Sequence, residues 1–123
     1  EWNNNHVGKY STKGHIPDLP SNAELHVGWF NETLPGFLKT HEGQVRFMNV
    51  DCDCYSSTRD LLNLLSPRIG PGTILIFDEY TNYLNWQQHE FKAFAEAAAE
   101  NEWSFEYVGI SLQSKQAIIR ILG

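Results

Sequence analysis

Apolar positions recur along this chain at two periods, and the switches between them mark out the elements. Glu24 to Trp29 (Glu-Leu-His-Val-Gly-Trp) alternates apolar and polar residues and reads as a short strand. Asn31 or Thr33 can cap a helix that carries Leu34, Phe37 and Leu38 at helical spacing, and His41-Glu42-Gly43 ends it. Val45 to Val50 reads as a strand. Ser57 with Asp60 three residues later is a capping-box signal, and the helix it opens carries Leu61, Leu64 and Leu65 on one face. Gly70-Pro71-Gly72 breaks the chain. Thr73 to Phe77 is a near-continuous apolar run, the pattern of a strand covered on both faces. Phe91, Phe94, Ala95 and Ala98 form the stripe of a further helix, expected from near Trp86 to near Asn101. Phe105 to Ile110 and Gln116 to Leu122 read as two strands joined by a hairpin through Ser111 to Lys115. Residues 1–23 are polar, rich in Gly, Pro and Asn, and read as an irregular loop before an α/β core over 24–123.

The resulting order, β-α-β-α-β-α-β-β, predicts a single α/β domain with a mostly parallel sheet covered by helices and one antiparallel strand from the closing hairpin. With 123 residues there is room for one modest domain, and 41% hydrophobic and 20% charged residues are ordinary for a globular protein. No apolar run approaches the ~20 residues of a membrane-spanning helix. The formal net charge is -6 with Lys and Arg scattered, which argues against a general nucleic-acid partner. The N-terminus (Glu1-Trp2-Asn3-Asn4-Asn5) lacks the basic and apolar regions of a signal peptide, and it lacks an initiator Met, so a trimmed or partial gene product is expected. Cys52 and Cys54 would sit roughly 6.5–7 Å apart on a strand, at the upper limit for a disulfide. They complete no zinc pattern and read as reduced packing cysteines of a cytoplasmic protein.

The chemistry concentrates where two apolar strands run into acids. Asp51-Cys52-Asp53-Cys54 follows the first and Asp78-Glu79 the second, so four acids gather at the carboxyl edge of one sheet, where open α/β folds bind ligands. On an extended chain Asp51 and Asp53 point the same way. Clustered carboxylates repel unless a cation or a proton separates them. Three of them could ligate a magnesium-type ion while the fourth acts as a general base. The competing reading is that Asp51 or Asp53 caps the helix that starts near Ser57. The five histidines lack ligand spacing, Ser56-Ser57-Thr58 lacks a nucleophile elbow, and Gly70-Pro71-Gly72 precedes a strand rather than following one. Trp29, Trp86 and Tyr83 could line a pocket near the acids or belong to the core.

Gly28-Trp29-Phe30-x-x-Thr33-Leu34-Pro35, Asp51-Cys52-Asp53-x-Tyr55-Ser56-Ser57-Thr58, Pro71-Gly72-Thr73, Phe77-Asp78-Glu79-Tyr80, Trp86 and Glu90-Phe91-Lys92-Ala93-Phe94 together resemble the macrocin O-methyltransferase family of class I S-adenosylmethionine-dependent methyltransferases. The resemblance runs from about Gly14 onward. It implies a Rossmann-like methyltransferase fold lacking its first two strands, with helices on both faces. It also implies a divalent metal, magnesium or another, on Asp51, Asp78 and Glu79. Asp53 would be the general base, and Trp29 and Asp51 would lie on the cofactor side. The acceptor would be a hydroxylated small molecule. Glu79 departs from the Asp that many relatives carry. The Gly-rich turn that holds the cofactor has no counterpart here, so the expectation is a metal-binding C-terminal half, inactive alone and not binding S-adenosylmethionine appreciably. With the first two strands missing, one edge of Val45–Val50 has no partner, and either a homodimer joined across it, the preferred expectation, or the Glu24–Trp29 strand moved inward would cover it. The alternative is a non-catalytic α/β module acting through self-association. A haloacid-dehalogenase-like phosphatase is disfavoured, because Tyr55 follows Cys54 where that pattern has Thr or Val.

Overall fold

In a computed structural model, which describes residues 11–123, two strands finish at the same level because Val50 lies opposite Phe77. These are β1 (Phe47–Val50) and β2 (Ile74–Phe77), and they run parallel. Between them lies α2 (Tyr55–Leu65), and before them α1 (Phe30–Thr40). After β2 come a single 3-10 turn at Trp86–Gln88, α3 (Glu90–Glu100), β3 (Phe105–Ile110) and β4 (Ala117–Ile121). The sheet order is β1-β2-β4-β3. The hairpin strand β4 is inserted antiparallel between β2 and β3, with Ala117 opposite both Phe77 and Ile110. Three strands therefore share one direction and one opposes them, as the element order predicts. The loop reading of residues 1–23 reaches into residues 1–10, which lie outside the described residues.

The core is the sheet face beneath the helices. Val50, Leu75, Phe77, Ala117, Ile119 and Ile121 are fully buried there against Leu61, Leu62 and Leu65 of α2 and Phe94, Ala97 and Ala98 of α3. Leu34 and Leu38 of α1 pack at its margin. Burying each of the Val, Leu, Ile and Phe side chains among them contributes roughly 1.5–3 kcal/mol. The opposite face is not covered by any helix among the described residues: Phe47 is 59% exposed, and Ile74, Ile76 and Ile118 are half-buried. Helices on both faces, and the two-sided cover expected of Thr73–Phe77, are thus realised on one face within residues 11–123. The apolar run is continuous because its second face is apolar too.

Three local expectations are corrected. Glu24–Trp29 is not a strand. Val27 and Trp29 are 71% and 73% exposed, so the alternation there is not a burial pattern. The chain instead turns at Gly28 (φ +144°), where a Cβ would come within 2.9 Å of Thr33 Cγ2. Neither Asn31 nor Thr33 caps α1, which starts at Phe30 with the Trp29 carbonyl accepting the Glu32 and Thr33 amides and the Thr33 hydroxyl. The Ser57 capping box does not form, because α2 begins two residues earlier and Ser57 lies inside its first turn.

A candidate active site at the carboxyl edge

The β1–β2 pairing continues one residue past the strands: the Asp78 N–H donates to the Val50 carbonyl at 2.9 Å. Asp51 and Asp78 therefore leave the sheet side by side. Beyond Asp51 the chain does not stay extended. The Cys54 N–H donates to the Cys52 carbonyl at 2.6 Å across Asp53, whose φ is +63°. This is a tight three-residue turn in the left-handed region, a conformation that costs energy for any residue with a Cβ. The extended-chain argument that aligned Asp51 with Asp53 thus does not hold. A turn, not an extended strand, carries the chain from Asp51 past Asp53.

The Asp53 carboxyl lies within electrostatic reach of both neighbouring acids, Asp51 and Asp78. Partial burial, then the charges of Asp51 and Asp78, raise the Asp53 carboxyl above the usual range, against a lowering by Lys115. Burial likewise raises Glu79, and Lys115 opposes it. The Glu79 side chain ends in an ion pair with Lys115, Nζ to Oε2 2.7 Å. Asp78 Oδ1 accepts the Gln116 side-chain amide at 2.9 Å. Lys115 and Gln116 come from the β3–β4 hairpin, which is strapped down because the Lys115 carbonyl accepts the Tyr80 and Thr81 amides. A cavity of about 250 Å³ opens between hairpin and acids, lined by Asp78, Glu79, Asn82, Lys115 and Gln116 among others. Its walls are polar, a surface suited to a hydroxylated ligand.

The metal set expected on Asp51, Asp78 and Glu79 is not assembled. Glu79 is taken by Lys115 and one Asp78 oxygen by Gln116, and among the described residues no three His, Cys, Asp or Glu side chains are arranged to hold an ion. Trp29 takes no part in the cluster, standing before α1 and 73% exposed. Trp86 packs edge-on against Phe91 of α3 (4.9 Å), while the Tyr83 hydroxyl donates to the Glu79 carbonyl at 3.0 Å and belongs to the acid site. Neither cysteine is in a disulfide.

Sequence reasoning missed Glu90. It is fully buried at the start of α3 and reaches both acid-bearing loops: Oε1 accepts the Asp53 N–H at 3.3 Å and Oε2 the Glu79 N–H at 2.9 Å. Burial pushes it up to about 7 even though the Glu79, Cys52 and Asp53 amides favour its charged form. A signal was available, since Glu90 falls in phase with the buried stripe of Phe94, Ala97 and Ala98.

Residues 18–102 match the family model described as Macrocin-O-methyltransferase (TylF). The chain belongs to this family. Over 62 residues it is 43% identical to the 8-demethyl-8-(2,3-dimethoxy-alpha-L-rhamnosyl)-tetracenomycin-C 4'-O-methyltransferase of Streptomyces olivaceus, covering 50% of this chain and 23% of that protein. The structure of the O-methyltransferase NovP superposes with a TM-score of 0.61 at 25% identity, covering 78% of this chain and 36% of that one. The apo structure of CalS11, a TDP-rhamnose 3'-O-methyltransferase of calicheamicin biosynthesis, gives 0.58 at 22% identity over 76% of this chain and 38% of that one. The chain thus spans less than two-fifths of the length of each. Within the macrocin O-methyltransferase family, the acid-rich edge belongs to an O-methyltransferase-like region of a mixed α/β sheet.

Proposed function

We propose that this chain is the acid-bearing part of an S-adenosylmethionine-dependent O-methyltransferase acting on a hydroxyl of a sugar-like small molecule. The observation that carries the reading is Asp53, held in a strained turn beside Asp51 and Asp78 with its proton affinity raised. A base whose proton affinity moves toward neutrality transfers protons more effectively at working pH. The polar cavity beside Asp78 and Gln116 would bind and orient the acceptor's hydroxyls. Asp53 would take the proton of the reacting hydroxyl, and the freed oxygen electron pair would form the new bond to carbon. S-adenosylmethionine, when bound, supplies an electrophilic methyl group whose bond to sulfur breaks with the electrons left on sulfur. Trp29, exposed before α1, would lie on the cofactor side, as would Asp51. The deoxysugar acceptors in the relatives' names support a sugar hydroxyl as target. Because the chain spans 23% to 38% of those proteins, the activity is assigned to the assembled enzyme, not to this stretch alone. A cytoplasmic location fits the two free thiols.

The test is methyl transfer from labelled S-adenosylmethionine to deoxysugar acceptors by the full-length protein that contains this chain. Asp53→Asn should lower turnover by roughly 10²–10⁴-fold with cofactor affinity unchanged by calorimetry. Undiminished turnover in that variant would overturn the role of Asp53. The divalent ion stands apart from this mechanism, because Glu79 is held by Lys115. Magnesium or manganese titration followed by melting temperature decides it: stabilisation that Asp51→Asn abolishes would establish a site, and insensitivity in both proteins would exclude one from this chain.

A further inference from the structure

We propose that Glu90 is a positioning residue, whose single buried carboxylate ties the Asp53 turn to the Glu79 loop and so sets where the Asp53 carboxylate stands relative to Asp78. Its catalytic weight rests on the function proposed above, whereas the geometry does not. Past the Asp78–Val50 hydrogen bond the backbones after β1 and β2 have no further ladder between them. Glu90 supplies the connection, with one oxygen on each loop: Asp53 N–H to Oε1 at 3.3 Å and Glu79 N–H to Oε2 at 2.9 Å.

Three observations make this more than a helix-end acid. The Glu90 carboxylate accepts from the Asp53 and Glu79 amides of two other loops, not from the first turn of α3. It is 0% exposed, and a carboxylate is driven out of such a place unless specific donors hold it. The turn it holds is strained, with φ +63° at Asp53, and such conformations persist only where surrounding contacts over-determine them. Releasing the Asp53 amide would let the turn relax toward extended chain and swing the carboxylate away from Asp78. Glu79 is fixed twice, its amide by Glu90 and its carboxylate by Lys115.

The experiment is NMR on the whole chain, unmodified and as Glu90→Gln, Asp78→Asn and the double variant. In the unmodified protein the Asp53 and Glu79 amides should be protected from hydrogen exchange; free exchange at both would overturn the proposal whether or not any variant folds. In Glu90→Gln one of the two amides must face an NH₂ group, and its protection should fall roughly 10–100-fold. Carbon-detected titration of Asp53 then reads its distance from Asp78. Asp78→Asn should lower the Asp53 midpoint in the unmodified background, and that drop should at least halve when Glu90 is Gln. An equal drop in both backgrounds would mean that Asp53 is positioned without Glu90. Glu90→Asp keeps the charge but loses reach and should behave like Glu90→Gln; behaviour like the unmodified protein would also overturn the clamp. None of these readouts needs activity, so an enzyme that methylates no sugar sinks the proposed function while leaving the clamp decided.

Discussion

Lys115 Nζ lies 2.7 Å from Glu79 Oε2, so the acid expected to complete a metal site ends in an ion pair with the β3–β4 hairpin. The pair is mostly enclosed, since the Glu79 side chain is 10% exposed and that of Lys115 32%. Removing one partner of such a pair leaves an uncompensated charge. Lys115→Met should therefore destabilise the fold at pH 7 by roughly 1–2 kcal/mol, allowing for the solvent that still reaches Lys115. The loss should shrink as pH falls and Glu79 takes up a proton. Urea unfolding at pH 7 and pH 4.5 reads both, and equal losses at the two values would show that Glu79 does not feel Lys115.

Glu90 gives the fold a pH dependence of definite sign. Its folded value is raised by burial to about 7 from an ordinary 4.5. Between those values the folded state holds more protons than the unfolded one, so stability falls as pH rises. The contribution is complete below the unfolded value and lost as pH climbs through about 7, a change on the order of 3 kcal/mol. Glu90→Gln should flatten that part of the stability profile, apart from a constant offset. A wild-type slope that survives the substitution would assign it to another group.

How legible this was in the sequence differs from element to element for physical reasons. β1, β2, α3 and β4 follow from burial periodicity, because each sends one regularly spaced set of apolar residues into the core, whereas β3 contributes only the half-buried Phe105 and leaves Tyr107, Val108 and Ile110 exposed. Glu24–Trp29 alternates without being buried, so its pattern carried no fold information. The acids at the carboxyl edge were visible because they end two apolar strands. Their actual arrangement was not, since it depends on a three-residue turn at Asp53 and on partners from the hairpin and α3 that lie 11 to 38 residues away. The phase of Glu90 with the buried stripe of α3 was legible, but not its partners, because a buried acid is held by backbone donors that no side-chain pattern reveals.

Cys52 and Cys54 should differ sharply in reactivity. Burial pushes the Cys52 thiol up to about 12. Partial burial also raises Cys54, but hydrogen bonds with Ser56 and Ser57 outweigh it and bring that thiol below its ordinary value. Since the thiolate is the reacting species, iodoacetamide at pH 8 should label Cys54 at least roughly tenfold faster than Cys52. Peptide mass spectrometry resolves the two sites, and equal labelling would mean that the Ser56 and Ser57 hydroxyls do not hold the Cys54 sulfur in solution.

The outer edge of β1 is where self-association should occur. Among the described residues β1 pairs with β2 alone. The Arg46 and Val50 carbonyls accept β2-side amides, so the N–H and C=O groups of the alternate residues Phe47 and Asn49 face away from the sheet. An open strand edge beside an exposed apolar side chain, here Phe47 at 59% exposure, is a template for pairing with another chain. The isolated chain should therefore form a dimer across β1. Asn49→Pro removes only an outward donor, which an edge position tolerates, and should return the protein to a monomer without loss of folded structure by circular dichroism. Light scattering measures the mass of both proteins. A monomeric mass for the unmodified chain at high concentration would eliminate the dimer, and a dimer that persists in folded Asn49→Pro would place the contact elsewhere, with the uncovered face of Ile74, Ile76 and Ile118 as the next surface to substitute.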